Sequence, residues 1–207
     1  MKEGGDQMNE ELAADIVREV INVGIGEAAN SLSKLVNTRV SLIATDIRII
    51  NAASIHEHIQ KEVADLGVSL SQDFRGLIKG KTILFYTKEC SISMLNAIYG
   101  QILETSALSE TGIAALNEIG NIIMGSCMAE ISNMIEGQLS FDLPHVTVEI
   151  SGKYFRNLLS DLEKLDQAIL IKNEMQIRER DIQGYLFILL SFEDFNKVIR
   201  KLQQQIQ

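Results

Sequence analysis

The stretch "NEIGNIIMG", residues 117–125, repeats the pattern of "REVINVGIG", residues 18–26, at a distance of 99 residues. Both are apolar with helical spacing. Each nevertheless holds a Glu followed three residues later by an Asn, Glu19/Asn22 and Glu118/Asn121, and a glycine four residues beyond that Asn. Glycine in a helix interior costs about 1 kcal/mol relative to alanine, and Asn is a mediocre helix former. Helix stability alone therefore does not account for these residues. The same shift superposes Ser33 on Ser132 and Ser41 on Ser140.

The match extends to the order of elements. In the first half a helix is predicted over 10–36, with Asn9 as its cap, acidic residues at its positive end and Asn37 where it stops. An extended segment follows at 39–49, rich in β-branched residues, then a short helix or loop at 54–63. A strand bent at its glycines is predicted over 73–87 and a helix closed by Gly100 over 90–100. In the second half Ser109 caps a long helix to about residue 136. Extended chain follows at 138–150, a helical segment at 154–165, a hairpin at 167–177 and 182–192 around a charged turn, and an amphipathic helix at 193–206. The segment "QILETSALS" between the halves is too short and too apolar for a flexible linker. These features predict one α+β domain over 1–207, with pseudo-symmetric halves at about 9–104 and 105–207. Their strands would form one largely antiparallel sheet, with the two long helices packed on one face.

At ~100° per residue, Asp15, Glu19, Asn22 and Gly26 fall in a stripe roughly 60° wide on the first long helix. Ile16, Val17, Val20, Ile21, Ala28, Leu32 and Leu35 occupy the rest of the arc. On the second helix Ala114, Glu118, Asn121 and Gly125 form the matching stripe, with Leu116, Ile119, Ile123, Cys127, Ile131 and Met134 on the core side. Both stripes should face outward, and the small neighbours Gly24, Gly26, Gly120 and Gly125 would admit a partner's backbone. The bare Glu-to-Asn spacing also occurs at Glu27/Asn30, Glu130/Asn133 and Glu193/Asn196, so spacing alone is no signature. On the residues alone, a solvated helix face with glycines serving helix packing is an equal alternative.

Composition narrows the function classes. The 207 residues are 46% hydrophobic and 23% charged, as in a folded protein, and the formal net charge of −9 disfavours nucleic-acid and anionic-membrane partners. The longest apolar run, "YLFILL", is far below the ~18 residues that span a bilayer, and the first twelve residues hold no apolar leader segment. A cytoplasmic location is expected. Cys90 and Cys127 show no metal or disulfide spacing and read as buried thiols rather than nucleophiles. In "HEH", His56 and His58 alternate on an extended chain and His145 is remote, so a polar surface segment is favoured over a metal site. "GLIKGKT" lacks the glycine spacing of a phosphate loop. Met124, Met128 and Met134 read as core filling.

The arrangement resembles the CheC, CheX and FliY group of chemotaxis phosphatases. That group's pattern is Asp or Ser, three residues, Glu, two residues, Asn, then 22 residues and Pro. "DIVREVIN" supplies Asp15, Glu19 and Asn22, with Thr45 at the Pro position. "ALNEIGN" supplies Glu118 and Asn121, with Pro144 in place and Ala114 at the Asp or Ser position. Pro144 is the single proline of the chain. The resemblance spans essentially the whole chain, including "FRGLIKGKTILFY", and its length and two retained sites point to the CheC branch.

The resemblance implies a phosphatase that hydrolyses the aspartyl-phosphate of a CheY-type response regulator. It would need no cofactor of its own, since the receiver brings the phosphoryl group, Mg²⁺ and a Lys. Asn121 and Asn22 would position the attacking water, because a side-chain amide both donates and accepts. Glu118 and Glu19 would pair with the receiver's Lys, Asp15 would add an acidic docking contact, and Pro144 would be structural. The rival implied by the same resemblance is a non-catalytic module, either a receiver-binding adaptor like the flagellar switch protein FliM or a docking partner of the deamidase CheD.

Overall fold

The computed structural model describes residues 3–51, 54, 66–99, 108–148 and 167–204. Among the described residues there are four helices and seven strands; the helices are α1 (Glu3–Leu35), α2 (Lys88–Tyr99), α3 (Glu110–Met134) and α4 (Phe192–Gln204). Seven strands, β1 (Val40–Asn51), β2 (Leu66–Gly76), β3 (Gly80–Thr87), β4 (Leu139–Phe141), β5 (His145–Val148), β6 (Gln167–Ile177) and β7 (Arg180–Leu190), form one sheet, and every pairing in it is antiparallel. Its order is β1-β6-β7-β3-β2-β4, with β5 also alongside β2. Exchanging the two halves of the chain turns this order into itself. β1 at one edge corresponds to β4 and β5 at the other, β6 corresponds to β2, and β7 meets β3 at the centre. This is the α+β fold expected from the repeated order.

Helix α1 buries Ile16, Val17, Val20, Ile21, Ile25, Ala28 and Leu32, and α3 buries Leu116, Ile119, Ile123, Met124, Cys127, Met128 and Ile131. They share one apolar cluster with Val68, Leu70, Leu84, Tyr86, Ile169, Ile171, Leu186 and Ile188 of the sheet. Leu35, assigned to the apolar arc, is instead exposed, because α1 ends there. The alternate residues Ile83, Phe85, Ala168, Leu170, Phe187 and Leu189 are buried as well. Successive strand side chains point to opposite faces, so β3, β6 and β7 are covered on both. That double burial explains unbroken apolar runs such as "YLFILL". Phe85 and Phe187 meet edge to face across the central pair, with ring centroids 5.7 Å apart.

The bent strand predicted over 73–87 is in fact the β2–β3 hairpin. Its turn, residues 77–79, is Leu77, Ile78 and Lys79, and Ile78 is carried into the core, so Gly76 and Gly80, which read as bends within one strand, in fact flank the turn. The second hairpin turns at Arg178 and Glu179, both with positive φ (47° and 65°). Helix α1 begins at Glu3, so Asn9 lies inside it rather than capping it. Ser109 caps α3 as expected, accepting the Gly112 N–H at 3.1 Å. The segments predicted at 54–63 and 154–165 lie outside the described residues but for Ser54, and the "HEH" histidines lie outside them too.

Both long helices end in the same left-handed turn. Asn37 has φ 47° and Glu136 φ 50°. The Thr38 N–H donates back to the Ser33 carbonyl at 3.2 Å, and the Gly137 N–H to the Ser132 carbonyl at 3.0 Å. This is the Schellman arrangement. Asn tolerates the left-handed region; Glu does so only at a cost.

The four glycines neighbouring the Glu/Asn pairs fall into two kinds. A Cβ at Gly24 would sit 2.7 Å from the Cys127 Cα, so Gly24 lets α1 cross α3 closely. Gly120 lies against Leu70, which a Cβ would meet at 2.4 Å. Gly26 and Gly125 are different: a Cβ there meets nothing within 4 Å. Only this second pair remains free to admit a partner.

Two stability predictions follow from these backbone sites. Glu136→Gly should raise stability by about 0.5–1 kcal/mol by relieving the left-handed penalty, measured by denaturant unfolding. Gly125→Ala should add about 1 kcal/mol of helix propensity, whereas Gly24→Ala should cost about 1–3 kcal/mol by overpacking the helix crossing. Equal responses of the two alanine variants would contradict the assignment of Gly24 to the crossing.

Candidate functional site

Because α1 and α3 bury one side on the sheet, the opposite side is presented outward. Asp15, Glu19 and Asn22 on α1 and Glu118 and Asn121 on α3 are all exposed. Asp15 is not free: its Oδ1 pairs with Arg18 at 2.7 Å, and Arg18 in turn donates from Nε to the Ile47 carbonyl at 3.4 Å. Among the described residues Glu19 and Glu118 have no ion-pair or hydrogen-bond partner. Their carboxylates are available to an incoming cation.

Asn22 and Asn121 differ in what lies behind them. The Asn121 Oδ1 accepts a hydrogen bond from the Gln72 Nε2 at 3.1 Å, and the same nitrogen donates to the Asp142 carbonyl at 2.9 Å. Among the described residues Asn22 has no such partner. Gln72 lies on β2 in phase with Val68, Leu70 and Phe74, all buried beneath the helices, and is itself only 3% exposed. The carboxylate of Asp142 is held by Arg75, at 2.6 and 3.3 Å. Sequence reading missed Gln72, Asp142 and Arg75. A signal for Gln72 existed, since an amide interrupts the apolar alternation of β2.

The Pro144 and Thr45 positions interrupt the two edge strands in different ways. Proline has no N–H to give a ladder, and the edge at Pro144 splits into β4 and β5. At Thr45 the other edge stays continuous but bulges between Ala44 and Asp46, and the Thr45 hydroxyl donates to the Lys172 carbonyl at 3.3 Å. Each edge strand is thus irregular at this position.

No other described group matches the chemistry of a nucleophile or metal centre. Burial pushes the Cys127 thiol up to about 12, which keeps it protonated at neutral pH. Cys90 is half-buried and His145 is exposed at the start of β5. Among the described residues no three His, Cys, Asp or Glu side chains group as metal ligands, and no helix is long and apolar enough to cross a membrane.

No family model matches the chain. Over 190 residues it is 22% identical to the CheY-P phosphatase CheC of Bacillus subtilis (strain 168), covering 89% of this chain and 90% of that one. Among solved structures, FliY of Thermotoga maritima superposes with a TM-score of 0.68 at 16% identity, covering 93% of this chain and 96% of that one. The FliM middle domain of H. pylori superposes at 0.60 and 12% identity, covering 91% and 97%. By sequence along nearly its whole length and by fold, the chain is similar to the CheC-like chemotaxis proteins.

Proposed function

We propose that the chain is a phosphatase for the aspartyl-phosphate of a CheY-type receiver domain. The observation that carries this is the exposed pair Glu118 and Asn121 on the outer side of α3, repeated by Glu19 and Asn22 on α1. The likeness to CheC supports it. In-line attack on phosphorus needs a water held opposite the leaving oxygen, and an amide can hold one by donating to it and accepting from it. Asn is far too weak a base to do more, so its contribution is positional. An unpaired Glu one turn away gives the receiver's Lys a fixed partner and so sets the docking geometry. The open space over Gly125 and Gly26 lets the receiver's backbone come close to each Asn.

Little further chemistry is asked of this chain. Phosphoryl group, Mg²⁺ and Lys are all expected on the receiver, which supplies the charge stabilisation. Asp15, tied to Arg18, serves as an auxiliary docking contact.

The FliM likeness favours a second possibility, an adaptor that binds a receiver without turning it over. Both roles are separated by following phosphate loss from a purified phosphorylated receiver. Asn22→Ala combined with Asn121→Ala should slow the accelerated loss by about 10²-fold, the scale on which misplacing a reacting group acts. Both residues are exposed, so the fold should survive. Tight binding without accelerated loss in the unaltered protein would establish the adaptor instead.

A further inference from the structure

The amide of Asn121 is held in one orientation by a chain of donors and acceptors. A peptide carbonyl only accepts, so the end of the Gln72 side chain that faces the Asp142 carbonyl at 2.9 Å is its NH₂ group. The other hydrogen on that nitrogen is then directed to Asn121 at 3.1 Å, and the atom receiving it must be Oδ1. The Asn121 Nδ2 is thereby turned away from Gln72, while Oδ1 keeps a second lone pair. Without such a tie, the terminal torsion of an Asn is broad and roughly two-fold, and the donor and acceptor would exchange places.

The other half offers an internal comparison. Gln72 is the seventh residue of the eleven-residue strand β2, and Asn173 is the seventh of the eleven-residue strand β6. Asn173 is likewise buried in the apolar phase of its strand, at 0% exposure, between Ile171 and Met175. Among the described residues neither its Oδ1 nor its Nδ2 has a partner, whereas at Gln72 only Oε1 lacks one. Asn is one methylene shorter than Gln, and no hydrogen bond joins Asn173 to Asn22. The edge strand differs as well, since Pro144 follows Asp142 closely, whereas the β1 edge carries the bulge at Thr45.

We infer that Gln72 is a positioning residue that fixes the amide orientation of Asn121, and that the Glu118/Asn121 site is the preorganised one of the two. This rests on the phosphatase function proposed above. Gln72 touches no substrate; it acts only through Asn121.

The test uses the full chain carrying Asn22→Ala, so that the second site alone reports, with a phosphorylated CheY-type receiver as substrate. Gln72→Met keeps length and removes both donors. It should lower kcat about tenfold with KM unchanged, and it should cost nothing more when added to Asn121→Ala. Gln72→Glu, which has the same shape and at most one hydrogen to give, should show the same kcat loss, and it stands in should Gln72→Met unfold on heating before assay. Unchanged kcat in folded Gln72 variants, with activity still lost in Asn121→Ala, would overturn the role of Gln72 and leave the phosphatase function standing. A rise in KM alone, or losses that add to those of Asn121→Ala, would also overturn it. No activity in the Asn22→Ala background would overturn the ranking of the two sites. Full activity in Asn22→Ala combined with Asn121→Ala would remove both the inference and the function beneath it.

Discussion

A buried amide nitrogen at Gln72 ties three parts of the molecule together. It sits on the sheet, reaches the helix layer at Asn121 and reaches the break between β4 and β5 at the Asp142 carbonyl. A polar group buried this deeply costs roughly 1–3 kcal/mol unless its hydrogen bonds are made, so the arrangement persists only while all three parts keep their register. The sheet order places β2 between β3 and the broken edge, and that placement brings a residue of the core phase within reach of an exposed helix side chain.

The rest of the candidate site follows from amphipathicity. Helix α3 must cover Leu70 and the central strands with Leu116, Ile119, Ile123 and Cys127, and the geometry of the helix then leaves Glu118 and Asn121 facing solvent. Helix α1 does the same for Glu19 and Asn22. Two glycines usually suggest a weak helix; here Gly24 and Gly120 serve close packing, and Gly26 and Gly125 leave open surface beside each Asn. In the proposed function, surface shape and amide orientation together do the catalytic work, and the reactive groups come with the receiver.

Much of this was legible in the sequence, for reasons that can be named. The repeat at 99 residues exposed the halves, the helical stripes located the outward Glu and Asn residues, and Ser109 marked the start of α3. The β2–β3 turn was read as a bend, because two of its three residues, Leu77 and Ile78, are apolar and Ile78 is buried in the core. The packing role of Gly24 depends on Cys127, about a hundred residues away in the chain. Gln72 was visible only as an amide out of place in "VSLSQDF", and its partners come from two distant segments that no local pattern links. Asp15 fell on the expected stripe, but its pairing with Arg18 depends on side-chain geometry that spacing alone leaves open.

The central claim is that an exposed amide on a helix aims water at the receiver's phosphoryl group, and that the second-half amide does so more effectively. Single-turnover phosphate loss from one phosphorylated CheY-type receiver, compared between Asn121→Ala and Asn22→Ala prepared separately, tests it most directly. The account predicts a large slowing in Asn121→Ala and a smaller one in Asn22→Ala. Rates equal to the unaltered protein in both variants, or loss confined to Asn22→Ala, would contradict it.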